Sequence, residues 1–166
     1  MSKYQSCAYP FLKEASKQCD YEVASDEIAS MLGYATHIVK HIPELERLVL
    51  MTYHLNGSIR GKLAVTDEDR NFLESLYVQY EEKVGRKTQF VLPQGSEGAC
   101  FLHMLRSKAK AVVRLAYAIE REEHPVPELV LDLWNMLSNV LFQMALYENL
   151  MEGVQETVFV SKSYGN

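Results

Sequence analysis

The stretch that decides the fold is FVLPQGSEGACFLHMLRSKAKAVVR, which runs from Phe90 to Arg114. Its apolar start stops at Pro93, a Gln-Gly-Ser turn follows, and Ser96 has the short polar side chain typical of a helix N-cap. From there apolar residues recur at helical spacing, which predicts a central helix from about Ser96 to Glu122. A helix of that length needs other helices to cover its apolar face.

The central helix carries a row of basic side chains. Arg106, Lys110 and Arg114 are spaced by four residues, so they stack along one helix face. Like charges in a row repel one another, and a protein tolerates them when they are solvated, paired with acids or bound to an anion. The spacing alone favours a solvated row and leaves the other two interpretations open.

Four more amphipathic helices are predicted around this one. The first begins at Ser25, which can act as the N-cap, with Asp26 and Glu27 as acids in the first turn. The third begins at a capping box, Thr66 to Asp69. The predicted limits of the four helices are Ser25 to Ile42, Pro43 to Gly61, Thr66 to Gly85, and the His-Pro-Val-Pro segment 124–127 to about Glu152.

Five helices joined by short connections bury their apolar faces most simply as an all-α, antiparallel five-helix bundle of the ferritin-like type. The length of 166 residues predicts one domain, 1–166, with an irregular N-terminal segment, 1–22, and a C-terminal tail, 154–166.

The composition excludes several partners and compartments. A net charge of −5 argues against nucleic acid as the main partner, and no apolar run of about 18 residues is present to cross a membrane. The three cysteines form no CxxC pair and the N-terminus has no signal-peptide core, so we expect free thiols in the cytoplasm.

The common catalytic and metal motifs are missing, among them GxGxxG, GxxxxGK[ST], HExxH and GxSxG. His37 and His41 are four residues apart, but no carboxylate has a matching spacing, and we predict no metal site. His103, one helical turn before Arg106, is more typical of a packed or capped histidine than of a catalytic one.

Several segments resemble the PduO-type ATP:cob(I)alamin adenosyltransferases. That family has FVLPGGS before a helix carrying LHxAR and RRAER, and here these positions read FVLPQGS (90–96), LHMLR (102–106) and KAVVR (110–114). The family's final helix carries LNRLSDLLF, which reads WNMLSNVLF (134–142) here. Its first helix carries Leu-Asp-Glu-Leu and then Leu-Gly, which read SDEI (25–28) and LG (32–33). The resemblance spans about residues 20–152.

The resemblance implies a cobalamin adenosyltransferase-like bundle, usually a homotrimer, in which ATP with Mg²⁺ and a reduced cobalamin meet between subunits. By position, Asp26 and Arg106 match a salt bridge at the subunit interface. Phe90 matches the aromatic wall of the corrinoid site, and Asn135 matches an asparagine near the nucleotide. Lys110 stands where the family has an arginine on the triphosphate. Arg106 and Lys110 are therefore the candidate catalytic residues.

The departures from the family pattern lie on the nucleotide side. The family's N-terminal loop, TxTGDxGxT, has no counterpart in residues 1–22, and no glycine precedes Gly33. Other family side chains are replaced by Ala111, Val113, Met136 and Asn139. Three hypotheses stay open. The first is a divergent transferase in which Arg106, Lys110 and Arg114 serve the nucleotide or the structure and Phe90 faces the corrinoid. The others are a protein that binds a corrinoid or another planar ligand without turning over ATP, and a trimeric assembly protein without a ligand.

Overall fold

The computed structural model describes residues 11–163, which form five α-helices joined by loops. The helices are α1 (Lys17–Ile38), α2 (Leu45–Gly57), α3 (Asp67–Val84), α4 (Glu97–Glu122) and α5 (Glu128–Met151). Within the described range the β-pairing is limited to one isolated antiparallel bridge between Val91 and Val158. The predicted helical bundle is confirmed.

The longest helix, α4, lies at the centre of the packing. It contacts α1 on one side and α5 on the other, while α2 packs on α1 and α3 packs on α5. The fully buried Trp134 of α5 meets Tyr21 of α1 edge-on, with 6.2 Å between ring centroids. The Tyr21 hydroxyl accepts from Trp134 Nε1 at 2.9 Å and donates to the Leu55 carbonyl at 2.7 Å. This polar contact links three helices inside an apolar core.

Local capping explains where α3 and α4 begin. The Thr66 amide donates to Asp69 Oδ2 at 2.9 Å, completing the predicted capping box of α3. Gly85 ends α3 with a φ of 73°, which favours glycine. The Ser96 hydroxyl accepts from the Ala99 amide at 3.2 Å, so the predicted N-cap of α4 is confirmed.

The predicted start of α1 is wrong, and so is the irregular character of residues 17–22. The helix begins at Lys17, where Ser16 is the N-cap. Ser25 is buried in mid-helix and donates to the Tyr21 carbonyl at 2.7 Å. Part of the true cap comes from Glu123, whose carboxylate accepts from the Lys17 amide at 2.6 Å and the Gln18 amide at 3.2 Å. Glu123, at the far end of α4, leaves no local signal, whereas the Ser16 hydroxyl, which accepts from the Cys19 amide at 3.1 Å, is a local cap that the prediction missed. Residues 1–10 lie outside the described range.

The C-terminal limits of α1 and α2 are also earlier than predicted. The first helix ends at Ile38, yet Val39 and Ile42 in the following loop are buried. The second ends at Gly57 rather than Gly61, yet Ile59 beyond it is buried as well. Apolar residues therefore continue past both helix ends, and their periodicity alone cannot mark the boundary.

Among the described helices, α5 is long and apolar enough to cross a membrane by length and composition. However, 67% of its most apolar window is buried inside the bundle. Its apolar side chains, Trp134 among them, form part of the bundle's core.

Candidate functional site

A groove of about 370 Å³ lies beside the segment that joins α3 to α4. Its walls come from this connector and from the facing sides of α4 and α5. The groove is lined by, among others, Phe90, Pro93, His103, Arg106, Asn139 and Phe142. The structure therefore brings together two predicted site residues, Phe90 and Arg106, that are sixteen positions apart in the sequence.

Phe90 stands out because its side chain is 84% exposed. An aromatic ring this exposed is costly in water unless it contacts something else. Its backbone is held, since the Phe90 carbonyl accepts from the Phe159 amide at 2.8 Å and the Leu92 amide donates to the Thr157 carbonyl at 2.9 Å. The C-terminal tail thus fixes the connector and leaves the ring of Phe90 free to contact a ligand.

His103 forms a buried part of the groove wall. It is 4% exposed, and within the described chain neither ring nitrogen has a hydrogen-bond partner. Burial, and then the nearby Arg106 charge, lower the pKa of His103 to about 4. The ring is therefore neutral at physiological pH. The prediction of a packed histidine fits this position, although its polar atoms are unusual in having no partner.

Arg106 sits next to His103 with its guanidinium carbon 5.6 Å from the Phe142 ring centroid. Its Nε is buried and has no hydrogen-bond partner among residues 11–163. Such an orphaned donor is costly to bury, so Arg106 is suited to an acceptor from outside this chain. A carboxylate from another subunit or an anionic ligand would each satisfy it.

Lys110 and Arg114 continue from Arg106 along α4, and both are exposed. In the part of the chain that the structure describes, neither has a carboxylate within 4.0 Å. Acids of the described chain therefore do not neutralise the positive charges of Lys110 and Arg114. The row extends roughly 12 Å along the helix at 1.5 Å per residue, enough to follow an extended anion.

Asp26 is half-buried on α1 and, among the described residues, forms no ion pair or hydrogen bond with Arg106. Next to these positions, Glu27 and Lys108 form an ion pair between the same two helices, with 2.7 Å between Oε1 and Nζ. Asp26 and Arg106 are therefore both without an ionic partner in the described range. The suggested interface salt bridge remains a prediction.

Asn135 lies nearer the start of α5 than the groove residues of that helix and does not line the groove. Its Nδ2 donates to the Leu131 carbonyl at 3.2 Å and lies 3.4 Å from the Tyr117 hydroxyl of α4. Tyr117 is three positions beyond Arg114, so Asn135 is near the far end of the basic row. The predicted site residues therefore form two groups, one at the groove and one near Arg114, at the other end of the basic row.

The two histidines considered for a metal do not share a helix face, because α1 ends at Ile38, between His37 and His41. His41 instead lies near two α5 carboxylates, Glu148 and Glu152, and the three potential ligand atoms are within 4.8 Å of one another. Sequence spacing could not indicate these two carboxylates, because Glu148 belongs to α5 and Glu152 is the residue that follows it. Existing contacts account for them: Glu148 accepts from the Lys40 and His41 amides, and Glu152 pairs with Lys40 and His41.

The sequence analysis missed two contributors to the site. Phe142 was not selected, although it faces both His103 and Arg106. Asn149 was not selected either, although its amide holds the turn before α4. A signal was available for Asn149: it and Glu148 are polar residues within the apolar face of α5, and both are buried.

Comparisons with known proteins agree on one family. The model of the cobalamin adenosyltransferase family matches residues 13–148. A corrinoid adenosyltransferase from Bacillus subtilis strain 168 is 28% identical over 146 residues, which cover 81% of this chain and 75% of that protein.

Solved structures give the same result for the fold. A variant of the PduO-type ATP:corrinoid adenosyltransferase from Lactobacillus reuteri, complexed with cobalamin and ATP, superposes with a TM-score of 0.76 at 21% identity, covering 89% of this chain and 88% of that chain. A second variant of that enzyme, complexed with ATP, gives 0.76 at 23% identity, with 88% and 89% covered. At these identities the likeness establishes the shared fold.

Proposed function

The chain belongs to the cobalamin adenosyltransferase family, and from this we propose that it transfers the adenosyl group of ATP to a reduced corrinoid. The observation that carries the proposal is the groove, in which the exposed Phe90 ring faces the orphaned Arg106 and the neutral His103. Arg106 lines this groove and is the first residue of the basic row, which has no acid partner in the described chain. An apolar wall next to fixed cations suits a corrinoid beside a triphosphate.

In this reaction cobalt(I) attacks the 5′ carbon of ATP. The cobalt–carbon bond forms, the carbon–oxygen bond breaks, and the electron pair leaves on the triphosphate. Cations that contact the triphosphate stabilise the charge that grows on it. Lys110 and Arg114 take this role, with ATP binding as its Mg²⁺ complex and Asn135 near the nucleotide. Lysine offers a point charge in place of the bidentate fork of arginine, so phosphate geometry is less tightly fixed here.

Phe90 acts on the corrinoid side. A cobalt ion reaches the reduced state more readily when no ligand occupies its lower face, and an aromatic ring keeps water away from that face without binding the metal. This role needs an exposed apolar side chain on a fixed backbone, which is how Phe90 is presented. No histidine ligand is required.

The active form is a homotrimer in the cytoplasm, and neither nucleic acid nor a membrane is a partner. Two observations support subunit contacts at the groove: Asp26 and Arg106 have no ionic partner in the described chain, and the Arg106 Nε is buried. A salt bridge from Asp26 of one subunit to Arg106 of the next would satisfy both.

Calorimetric titration tests the proposal, with MgATP and cobalamin added separately to the purified protein. We expect both to bind, and Lys110→Ala to weaken MgATP binding about tenfold or more while leaving cobalamin binding within twofold. Lys62→Ala is the control, because Lys62 is an exposed lysine in the loop between α2 and α3. Cobalamin binding without MgATP would indicate the alternative function, a corrinoid-binding protein. Binding of neither would contradict both.

A further inference from the structure

Asn149, in the last turns of α5, is a buried amide whose hydrogen bonds all leave its own helix. The residue is 1% exposed. Its Oδ1 accepts from the Ser96 amide at 2.9 Å. Its Nδ2 donates to the Gln94 carbonyl and to Glu156 Oε1, both at 2.9 Å. One side chain therefore joins the turn before α4, the end of α5 and the C-terminal tail.

The backbone of the turn is shaped to this amide. Gly95 has a φ of 138°, and a Cβ built on it would lie 2.0 Å from Asn149 Oδ1. Any other residue at position 95 would collide with the Asn149 side chain as well as adopt a strained backbone. The close approach of Asn149, more than fifty positions away in the sequence, therefore explains why the Gln-Gly-Ser turn has a glycine at position 95.

The contacts of Asn149 also hold the backbone near Phe90, through hydrogen bonds between the C-terminal tail and the connector. Glu156, held by Asn149, precedes the residues that pair with the connector: the Thr157 carbonyl accepts from the Leu92 amide, and Val158 forms the bridge to Val91. The Gln94 side chain also donates to Thr157 Oγ1 at 2.7 Å. Because the Phe90 ring is almost fully exposed, its own packing does not fix it. Its direction depends on the backbone that these contacts hold.

We propose that Asn149 is a positioning residue for adenosyl transfer, which fixes residues 94–96 and the tail and thereby aims Phe90 into the groove beside His103 and Arg106. The inference rests on the proposed function, since it assigns Phe90 to the corrinoid. Asn149 acts through Phe90 and does not touch the substrates. Its loss should affect the corrinoid side of the reaction and leave the nucleotide side, further along α4, nearly unchanged.

The first test needs no ligand. Amide hydrogen exchange is measured by NMR on the wild type, on Asn149→Ala and on the control Asn71→Ala, which replaces an exposed asparagine of α3. We expect the Ser96 and Leu92 amides to exchange faster in Asn149→Ala, while the core amides of α4 stay protected. Unchanged exchange at Ser96 would overturn the proposal.

The second test measures steady-state kinetics of adenosyl transfer with the same proteins. In Asn149→Ala the KM for the reduced corrinoid should rise about tenfold, because small misplacements of a contact group are costly, while the KM for ATP stays within about twofold. Faster exchange at Ser96 with both KM values unchanged would show a purely structural amide and overturn the proposal. A wild type that binds no cobalamin would instead refute the proposed function, a failure distinct from unchanged exchange.

A rescue pair separates positioning from general damage. Asn149→Asp keeps the acceptor for the Ser96 amide, but it loses the donor to the Gln94 carbonyl and places two carboxylates together at Glu156. Adding Glu156→Gln supplies a donor in the reverse direction and restores the contact with the tail, while the Gln94 carbonyl stays without its donor in both variants. We therefore expect the double variant to reverse part of the rise in the KM for the corrinoid that Asn149→Asp alone causes. No recovery, with Ser96 again protected from exchange, would overturn the proposal.

Discussion

Glu27 and Lys108 join α1 to α4 through an ion pair of 2.7 Å, while their neighbours Asp26 and Arg106 have no ionic partner in the described chain. Two acids adjacent in sequence therefore have different surroundings. The exposed Glu27–Lys108 pair contributes at most about 1 kcal/mol to stability. Asp26 and Arg106 remain available for a contact between subunits.

Replacing Asp26 should therefore weaken the oligomer. In Asp26→Asn the carboxylate that would pair with a partially buried arginine is lost, and that arginine is left without its counter-charge. We expect sedimentation velocity at micromolar concentration to show a shift from trimer toward smaller species. Glu27→Gln, the adjacent control, should leave the profile unchanged. A profile that is the same for both variants and the wild type would contradict the interface pair.

Phe90→Ala should weaken corrinoid binding without unfolding the bundle. The ring is too exposed to contribute to folding, so the free energy of unfolding should change by less than about 0.5 kcal/mol. Cobalamin affinity, measured by titration, should fall about tenfold or more because an apolar contact wall is removed. Leu63→Ala, at another exposed apolar residue, serves as the control. Normal cobalamin affinity in Phe90→Ala would remove this residue from the site.

The lowered pKa of His103 predicts that the stability of the folded chain depends on pH in a specific way. Its pKa is about 4 in the folded chain, below the ordinary value of 6.5. Below pH 6.5 the unfolded state binds a proton that the folded state excludes, so stability falls as the pH drops from about 6.5 towards 4. The slope should approach about 1.4 kcal/mol per pH unit.

Urea unfolding at pH 7 and pH 5 measures this effect. The interval avoids the region below about pH 4.5, where protonation of Glu14 and Glu152, whose pKa values are lowered mainly by hydrogen bonds to Arg60 and His41, removes their own stabilisation. His103→Gln should lose less stability than the wild type between these two pH values. An equal loss in both proteins would show that His103 is not the group responsible.

Tyr21→Phe should destabilise the bundle even though the substitution preserves the ring. It leaves the buried Trp134 Nε1 donor and the Leu55 carbonyl without their shared partner. We expect a loss of about 1–3 kcal/mol in the free energy of unfolding, measured with urea. Tyr34→Phe, at a ring that is 53% exposed, should cost less than about 0.5 kcal/mol. Equal effects would argue against the buried link between α1, α2 and α5.

The features that could be predicted from the sequence are those encoded locally. The Thr66–Asp69 capping box, the Ser96 cap and the basic row all depend on spacings within one or two helical turns, and the structure has each of them. The start of α1 has a local cap in Ser16, but the second part of the cap comes from Glu123, which is distant in sequence and could not be found from the local pattern.

The candidate site shows the same limit. Arg106 and Phe90 were found by their position in a family pattern, but the groove between them needs Phe142 from α5. The contact of Gly95 with Asn149 likewise requires two segments that only the fold brings together. The sequence also could not show that Glu148 and Glu152 lie near His41, because they are more than a hundred positions away, at the end of α5 and just after it.

Adenosyl transfer itself is the most direct test of this account. The purified protein is mixed anaerobically with MgATP and chemically reduced cobalamin, and formation of adenosylcobalamin is followed by visible absorbance and confirmed by mass. We predict turnover in the wild type and a rate at least about tenfold lower in Lys110→Ala, with triphosphate released in equal amount to the product. No adenosylcobalamin from folded protein that binds both substrates would contradict the assignment as a transferase.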